Sequence, residues 1–382
     1  MTESRPSSSE SSQPQPSGCK QSGSSDSGPQ DAAPKLIQDI DLQLIDLFQR
    51  RAEIVRAEVV DHDAAVVGRV ASAARQIDSL VASHCDLAGG LPSDEVSGLL
   101  RHLSSVCLQS LHELRVAYLG PEHSYSHLAA LKYFGDAVEL VPVSSIPAVF
   151  ESVQRGDVAT GMVPIENSTD GRVVDTLGMF VRREMQICGE VLLPIHHNLL
   201  SKSPRNEITH VYSKPQALSQ CRAWLTKNLP AAQLVEISST AAAAELASQK
   251  LGIAAVASLE AGRQYELDVI DVNIEDNQNN VTRFAVLGKE RQAPTGDDKT
   301  AILFQVSHVP GALADAMVVF KKQSLNLTWI ESFPSPDAAN EYLFFVELSG
   351  HRDDPAVAAA IQELAAQAQR LTVLGAYPKA KL

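Results

Sequence analysis

Apolar residues near the start of the chain recur at intervals of three and four, which is the spacing of an amphipathic helix. The pattern begins at Leu36 and runs to Val59. Helical spacing returns at about 70–87 and, after the breaker AGGLPSD, at 93–114. The sequence therefore predicts a small all-helical unit over residues 34–114.

The pattern changes at Arg115 to short apolar runs of strand length. VAYLG, VATGMVPI, GIAAVAS and TRFAVLG are typical of buried strands, and HLAALKYF and TAAAAELASQK between them have helical spacing. Strands separated by helices indicate parallel sheets, which bind ligands at the carboxyl ends of their strands. We expect one α/β unit over residues 115–291, built as two lobes around a cleft, as in periplasmic binding proteins.

The two ends of the chain differ from this middle part. After the polar linker KERQAPTGDDK, the runs TAILFQVS, ALADAMVVFKKQ, NLTWIESF, EYLFFVELSG, PAVAAAIQELAAQAQ and LTVLGAYP read β-α-β-β-α-β. That order is the split βαβ, or ferredoxin-like, arrangement, which we assign to residues 299–380. Residues 1–33 are rich in Ser, Pro, Gln and Gly and lack large apolar side chains, so we expect a disordered tail.

Composition narrows the class of protein. A chain of 382 residues with 44% hydrophobic and 20% charged residues is typical of a soluble multidomain protein. It has no apolar run of the roughly 18 residues that span a membrane and no signal pattern at its start, so we expect a cytoplasmic protein. The net charge of −14 argues against nucleic-acid binding. The five cysteines lie apart without metal-ligand spacing, so neither a disulfide frame nor a metal site is expected.

Three polar clusters in the central unit follow predicted strands. They are GPEHSYSH (120–127), ENSTDG (166–171) and NVTRF (280–284). Each alone could be ordinary turn or N-cap chemistry, but three of them in one α/β unit indicate a shared cleft. The sequence offers no Gly-rich phosphate loop and no assignable Ser-His-Asp set. Two functions remain, which are chemistry assisted by proton donation and anion positioning, and plain small-molecule binding.

Several motifs resemble those of prephenate dehydratase domains across nearly all of Arg115 to Arg291. In chain order they are VAYLGPEHSYSHLAA, VPIENSTDGRVVDTL, YSKPQALSQC, SSTAAAAELA and NNVTRFAVLG. The motifs GAL (311–313) and ES (331–332) lie where that family carries its ACT regulatory domain, and with the helical unit the chain resembles the bifunctional chorismate mutase/prephenate dehydratases. The resemblance implies a lyase that converts prephenate to phenylpyruvate, CO2 and water in phenylalanine synthesis, with no cofactor.

The resemblance also assigns residues to the dehydratase site. It implies that Thr282 interacts with, or protonates, the leaving hydroxyl. Because threonine alone is a weak acid, we expect it to relay a proton within a polarised network. The implied substrate-binding residues are Glu166, Asn167, Ser168, Ser213, Gln220, Ser239, Thr240 and Arg283. Ser239 and Thr240 also fit a helix N-cap. Glu166 fits a role in fixing its loop, and Arg283 fits an interlobe ion pair, about as well as substrate contact.

Two departures from the family pattern leave the substrate open. His123 follows GPE where a small residue is usual, and Lys214 stands where the family often has His. Arogenate, the aminated analogue of prephenate, is therefore an alternative substrate. A non-catalytic amino-acid sensor is the alternative from another class, although a sensor would not need Thr282, Asn167 and Ser168 together.

The helical unit matches the mutase pattern only in part. Arg51 stands where the family's first-helix motif ends in Arg, but Pro34 occupies the slot of an earlier Arg and Ala73 that of an acidic residue. Chorismate rearrangement depends on cations that clamp two carboxylates and stabilise the ether oxygen. We therefore expect a dimeric mutase-like fold with weak or no activity.

The C-terminal motifs imply a phenylalanine effector site between paired subunits. The implied effector-binding residues are Gly311, Ala312, Leu313, Asn326, Glu331 and Ser332. Gly311 would also serve a strand-to-helix turn without any ligand. Phe333 replaces the Arg that usually follows this ES motif, which leaves the strength and sign of regulation open. We expect a homodimer or homotetramer.

Overall fold

The computed structural model describes residues 29–58, 76–77, 80–81, 83–84, 92–109, 114–335 and 341–381. Most of the expected tail 1–33 and of the expected helix 70–87 lies outside the described residues. The chain divides into two compact units, Met1–Arg51 and Ala52–Leu382.

Among the described residues before the α/β part, two segments form long helices. Helix α1 spans Pro29–Glu58 and α2 spans Ser93–Gln109. Large apolar side chains of α1, among them Leu36, Ile40 and Leu47, are exposed. The amphipathic spacing thus forms the predicted helix, and that helix presents an apolar surface.

The strand–helix alternation predicted after residue 115 is present in the structure. Its elements are β1 (Arg115–Leu119), α3 (Tyr125–Phe134), β2 (Glu139–Val143), α4 (Ile146–Arg155), β3 (Thr160–Asn167), β4 (Gly171–Arg172), α5 (Val174–Arg182), β5 (Gln186–Pro194), β6 (Asn198–Ser201), β7 (His210–Ser213), α6 (Pro215–Gln220), α7 (Arg222–Asn228), β8 (Gln233–Glu236), α8 (Thr240–Gln249), β9 (Ile253–Ala257), α9 (Leu259–Gln264), β10 (Asp268–Asp271) and β11 (Val281–Gly288).

These strands form two sheets, each the centre of one lobe. The first sheet has the order β2-β1-β3-β11-β5, with β4 paired to β3, and the second has the order β10-β6-β9-β7-β8. The sheets are mixed and not purely parallel, since β11 runs antiparallel to both β3 and β5. The chain enters β11 on its way back from the second sheet, so its direction is reversed relative to β3. Two segments, 195–197 and 272–280, connect the lobes.

The C-terminal part has the predicted βαββαβ order. Its elements are β12 (Asp298–Gln305), α10 (Ala312–Lys322), β13 (Leu327–Pro334), β14 (Tyr342–Ser349), α11 (Pro355–Gln367) and β15 (Arg370–Pro378). The sheet order β13-β14-β12-β15 is that of a split βαβ unit.

The C-terminal sheet packs directly on the first lobe. One cluster of buried side chains includes Val163 and Ile187 of the first lobe together with Leu303 and Phe345 of the C-terminal sheet. A Cβ atom added to Gly375 would lie 2.2 Å from the Ile187 carbonyl oxygen, so β15 approaches β5 at a distance that only glycine allows. The packing of these two sheets is therefore a continuous core and not a loose domain contact.

Candidate active site

Thr282 and Asn167 are paired across β3 and β11, at one end of these two central strands of the first sheet. The register of β3 and β11 sets Thr282 opposite Asn167 and Arg283 opposite Glu166. Inward of these residues both strands are mostly buried and apolar, which fixes the register, because a slip by one position would move every buried side chain to the other face. The two polar motifs are thus brought together by the apolar runs that precede and follow them.

The Asn167 side chain has a fixed orientation. Its Oδ1 accepts hydrogen bonds from the backbone N–H groups of Thr169 (2.9 Å) and Asp170 (3.0 Å), which form a turn after β3. Its Nδ2 therefore points away from that turn and donates to Thr282 Oγ1 at 2.8 Å. Because Thr282 Oγ1 accepts this bond, its own O–H group is left to donate to another oxygen. Thr282, which is half-buried, therefore has an O–H group available as a hydrogen-bond donor.

The network continues away from Thr282 through further amides. Asn167 Nδ2 also donates to Asn280 Oδ1 (2.9 Å), and Asn280 Nδ2 donates to Gln220 Oε1 (2.9 Å). The same Gln220 oxygen lies 2.9 Å from His197 Nε2, and His197 Nδ1 lies 3.0 Å from the Tyr125 hydroxyl. We call this chain of side chains the cleft network: Thr282, Asn167, Asn280, Gln220, His197 and Tyr125.

The cleft network passes through the two segments that connect the lobes. The N–H of Ile274 donates to the carbonyl oxygen of His197 at 2.8 Å, which ties one crossing segment to the other. The buried Glu275 carboxylate accepts from the His197 backbone N–H (2.8 Å) and lies 2.8 Å from His196 Nδ1. The crossing segments are thereby locked together next to the residues of the TRF motif.

Two of the predicted substrate-binding serines use their hydroxyl groups in hydrogen bonds to the backbone. Ser168 Oγ donates to the Asn279 carbonyl (3.1 Å) and accepts from the Val281 N–H (2.9 Å), so it fastens the ENS loop to the start of β11. Ser213 is fully buried and donates to the Val256 carbonyl of β9 at 2.6 Å. Its hydroxyl hydrogen is therefore used within the second sheet, and the geometry favours a supporting role.

Ser239 and Thr240 lie at the amino end of α8 in the second lobe. Ser239 Oγ accepts from the Ala242 N–H at 3.0 Å, which is the N-cap geometry given above as an alternative. Thr240 is the first helical residue and is buried. The free N–H groups of this first turn carry the positive end of the helix dipole, so the cap and anion binding are compatible.

Glu166 and Arg283 face the C-terminal sheet and not the cleft network. Arg283 Nε donates to Glu166 (3.0 Å), and its Nη1 donates to Glu190 (3.2 Å) and to Glu347 of β14 (2.5 Å). Lys299 of β12 also donates to Glu190 at 3.0 Å. We call these five residues the charge cluster. The geometry favours the ion-pair alternative for Arg283 over substrate contact and the loop-fixing alternative for Glu166.

Burial and charge act in opposite directions on Arg283. Burial lowers the pKa of the guanidinium, but the carboxylates of Glu347 and Glu190 outweigh that effect and raise the pKa above its usual value. Burial and the Glu347 carboxylate raise the pKa of Tyr377, whose hydroxyl donates to Glu347 at 2.8 Å. Arg283 therefore stays charged and Tyr377 neutral, with the guanidinium 4.6 Å from the centre of the Trp329 ring.

The predicted effector residues lie on the C-terminal unit. Gly311 has a φ of +88° at the start of α10, a conformation that favours glycine. Glu331 is bonded to Arg172 of β4 at 2.5 Å, and that guanidinium lies 5.4 Å from the centre of the Phe333 ring. The first lobe thus supplies a guanidinium beside Glu331, although residue 333 is not Arg. The start of α10 and the region of β13 contain the other predicted effector residues, which are Ala312, Leu313, Asn326 and Ser332.

The predicted mutase-like site is only partly visible. Arg51 lies in α1, as does Pro34, which is inside the helix near its start. Ala73 lies outside the described residues.

His197 of the cleft network was missed by sequence reasoning, and Tyr125 and Asn280 were recognised only as members of polar clusters. The available signal was the polar pair in PIHHN, directly after the apolar run VLL, and the aromatic residue inside GPEHSYSH. A pair of polar residues after one strand does not by itself indicate which of them faces the cleft.

Other kinds of site are not found in the part of the chain that the structure describes. There, no group of three or more His, Cys, Asp or Glu side chains is placed to hold a metal ion. No described helix has both the length and the apolar character needed to cross a membrane.

Comparisons with known proteins identify the family. Residues 116–292 match the family model for prephenate dehydratase. The bifunctional chorismate mutase/prephenate dehydratase of Aquifex aeolicus is 41% identical over 352 residues, covering 91% of this chain and 97% of that protein. A solved prephenate dehydratase from Arthrobacter aurescens, in complex with L-Phe, has a TM-score of 0.66 at 30% identity and covers 70% of this chain and 90% of that one.

A further solved structure shares the fold. GqqA, described as a novel type of quorum-quenching acylase, has a TM-score of 0.64 at 27% identity and covers 70% of this chain and 98% of that one. The longer and closer match is to the bifunctional enzyme, which extends into the helical part of the chain. The chain belongs to the bifunctional chorismate mutase/prephenate dehydratase family.

Proposed function

We propose that the cleft network dehydrates and decarboxylates prephenate, with Thr282 as the catalytic residue. The observation that carries this proposal is the hydrogen bond from Asn167 Nδ2 to Thr282 Oγ1, because it leaves the threonine O–H free to donate to the leaving hydroxyl of the substrate. The Thr282 O–H points its proton at the oxygen as the bond to the ring carbon breaks.

Apart from this proton donation, the reaction requires few contributions from the protein. The electrons of the ring carboxylate enter the ring as CO2 leaves, the carbon–oxygen bond breaks, and the leaving oxygen becomes water by taking up one proton from solvent, relayed through the Thr282 hydroxyl. Aromatisation of the ring supplies the driving force. The side chains need to align the carboxylate with the leaving group and to stabilise the departing oxygen, and neither task requires a cofactor.

The second lobe supplies an anion site for this alignment. The first turn of α8, with Ser239 and Thr240, presents backbone N–H groups at the carboxyl ends of the second sheet. The Gln220 carboxamide belongs to the cleft network and joins the second lobe to Asn280. We assign Gln220, Ser239 and Thr240 to substrate contact, Asn167 to the orientation of the Thr282 hydroxyl, and Ser168, Ser213, Glu166 and Arg283 to the support of that site.

Prephenate is preferred to arogenate and to an acyl substrate as the working hypothesis. The chain spans 97% of a relative whose name gives chorismate mutase and prephenate dehydratase. The acylase GqqA shares the fold at lower identity, but a shared fold does not fix the reaction. Asp170, whose carboxylate accepts from Gln220 Nε2 at 2.8 Å, is the group that would attract the ammonium of arogenate.

The C-terminal unit is proposed to be an ACT domain that binds phenylalanine. The Arthrobacter aurescens relative is described in complex with L-Phe, and the βαββαβ order of residues 299–380 is consistent with this assignment. Gly311, Ala312, Leu313, Asn326, Glu331 and Ser332 would contact the effector between subunits of a homodimer or homotetramer. Residues 34–114 would form a mutase-like domain of weak or no activity, in which Arg51 matches the first-helix motif, and 115–291 would form the two-lobed dehydratase domain.

The test is to follow CO2 release by the purified full chain and to identify the product, which is phenylpyruvate from prephenate or chorismate and phenylalanine from arogenate. Prephenate, arogenate and chorismate are supplied in parallel, each with and without phenylalanine. We expect product from prephenate, little from chorismate, and a change in rate when phenylalanine is added. Turnover of arogenate but not of prephenate would make arogenate the substrate. An absence of product from both prephenate and arogenate would refute the dehydratase proposal.

A further inference from the structure

His197 is a buried, titratable side chain in the segment that connects the lobes, and none of the steps above uses it. It is 2% exposed, and its ring touches two members of the cleft network. Its Nε2 lies 2.9 Å from Gln220 Oε1, and its Nδ1 lies 3.0 Å from the Tyr125 hydroxyl. The ring is also in edge-to-face contact with Tyr125, with the ring centres 5.6 Å apart.

The surroundings of Gln220 determine which nitrogen of His197 carries the proton. Gln220 Nε2 donates to Asp170 Oδ2, so the other end of the carboxamide, Oε1, faces His197 and Asn280. An oxygen can only accept, and therefore His197 Nε2 must carry the hydrogen of this contact. In a neutral ring Nδ1 then carries no hydrogen, and the Tyr125 hydroxyl beside it shares its one O–H between Nδ1 (3.0 Å) and the His196 carbonyl oxygen (2.7 Å).

Burial agrees with a neutral ring. It lowers the pKa of His197, while the contact with Gln220 and the carboxylates of Glu275 and Asp170 act in the opposite direction and do not outweigh it. His196, which faces solvent and Glu275, adds to the lowering.

We propose that His197 is a positioning residue for the dehydration. Its Nε2–H holds the Gln220 carboxamide, Gln220 holds Asn280, and Asn280 shares the Asn167 amide that orients the Thr282 hydroxyl. This inference rests on the proposed role of Thr282. Each of these hydrogen bonds is 2.8 or 2.9 Å long. Loss of the His197 donor would free the Gln220 carboxamide to rotate toward Asp170. That rotation would weaken the bonds from Asn280 to Gln220 and from Asn167 to Asn280 and Thr282.

A purely structural role of His197 can be separated from this one. The bonds that lock the crossing segments use the backbone of His197, since its N–H donates to Glu275 and its carbonyl accepts from Ile274. Substitution of the side chain leaves both bonds available. An effect on turnover without an effect on folding therefore reports the imidazole and not the hinge.

The experiment compares His197→Met, which fills the space without a donor, with His197→Gln, whose amide places an N–H near the position of Nε2. We expect His197→Met to lower kcat by about 10- to 100-fold with KM changed by less than about threefold, because a displaced catalytic group lowers the rate more than it lowers binding. His197→Gln should recover kcat to within about fivefold of wild type. His210→Met is the matched control, since His210 lies at the opposite, amino end of β7 and contacts Thr209.

The outcomes are distinct. Equal kcat in His197→Met and wild type, or an equal loss in His197→Gln and His197→Met, would refute the positioning role. Nitrogen-15 spectra of histidine-labelled full chain, assigned with His197→Gln, should show a neutral ring protonated at Nε2, and an Nδ1-protonated or charged ring would also refute it. Failure of wild type to turn over prephenate would instead refute the proposed function and the inference that rests on it.

Discussion

Thr282 and Arg283 are neighbours in sequence, yet they belong to regions of opposite character. Successive residues of a strand point to opposite faces of a sheet. Thr282 joins an uncharged network of amides and hydroxyls at the cleft, and Arg283 joins a buried cluster of carboxylates and cations against the C-terminal sheet. Asn167 and Glu166 repeat the same division on β3.

The division shows how one pair of motifs can serve two purposes. The cleft network is half-exposed at Thr282 and made of groups that donate and accept without carrying charge, which suits a site that must exchange a proton and admit an anion. The charge cluster is largely closed to solvent, because the side chains of Arg283 and Glu347 are 7% and 1% exposed, whereas Glu166, at 34%, lies at its margin. Buried charges that lose a partner are costly, so this cluster fixes the strands on which the cleft residues stand.

The largest effect should come from breaking the charge cluster. Arg283→Met would leave the Glu347 and Glu190 carboxylates buried with fewer partners, and we expect a loss of about 3–5 kcal/mol in the free energy of unfolding. Chemical denaturation of the full chain measures it. Where the variant still folds, its kcat should stay within about tenfold of wild type, because the Thr282 hydroxyl remains in place.

Arg283→Lys is the matched control for this change. It keeps the charge but cannot reproduce the bonds to Glu166 and Glu347 at once, so an intermediate loss of stability is expected. The opposite pattern, with stability retained and KM raised at least tenfold, would assign Arg283 to the substrate after all and remove the contrast between the two regions.

Thr282→Val should give the converse result. Valine keeps the volume of threonine and removes the hydroxyl, so kcat should fall by about 10²- to 10³-fold, the usual effect of losing one catalytic donor. Stability should change by less than about 1 kcal/mol, because the threonine is half-buried and its donor Asn167 keeps other partners. Steady-state kinetics and denaturation on the same preparation check both parts, and normal turnover would exclude Thr282 as the catalytic residue.

Much of this architecture could be predicted from the sequence, because it is encoded in local patterns. The apolar spacing of α1, the strand–helix alternation after residue 115 and the βαββαβ order after residue 298 all follow from periods that a single segment reveals. The reversed direction of β11 could not be predicted in this way, since it depends on the path of the chain between two sheets. A strand's direction is a long-range property.

The candidate site likewise contains residues that local motifs predict and residues that only long-range contacts reveal. Asn167 and Thr282 stand in motifs, and their pairing follows once β3 and β11 are neighbours. The choice between substrate contact and ion pair for Arg283 depends on Glu347, which lies 64 positions away in the C-terminal sheet. His197 has no motif of its own around it and is identified only by its distances to Gln220 and Tyr125.

A smaller effect on the free energy of unfolding should appear when the pH is lowered, and it should come from buried histidines on the cleft side. The pKa values of His197 and His127 are lowered mainly by burial. As the pH falls through about 6.5, the unfolded chain binds protons at these rings before the folded chain does, so the free energy of unfolding decreases. The decrease is at most about 1.4 kcal/mol per pH unit for each ring. His197→Gln should therefore lose less stability than wild type between about pH 7.5 and 5.5.

The control for the pH effect is His210→Gln, which removes a histidine outside the cleft network. The slope of stability against pH should be smaller in His197→Gln than in this control. An unchanged slope in His197→Gln would mean that the ring gains its proton at the same pH in the folded and unfolded chains, which contradicts a neutral, buried His197.

The smallest effect should come from the second link between the first lobe and the C-terminal sheet. Arg172 and Glu331 form an ion pair like those of the charge cluster, but their side chains are 41% and 21% exposed, against 7% and 1% for Arg283 and Glu347. Exposed pairs are screened by solvent, so Arg172→Ala should lower the free energy of unfolding by less than about 1 kcal/mol. Arg155→Ala, which removes an exposed pair with Asp157, is the matched control. A loss from Arg172→Ala as large as that from Arg283→Met would mean that burial does not separate the two links, and that Arg172 holds the C-terminal sheet as firmly as the charge cluster does.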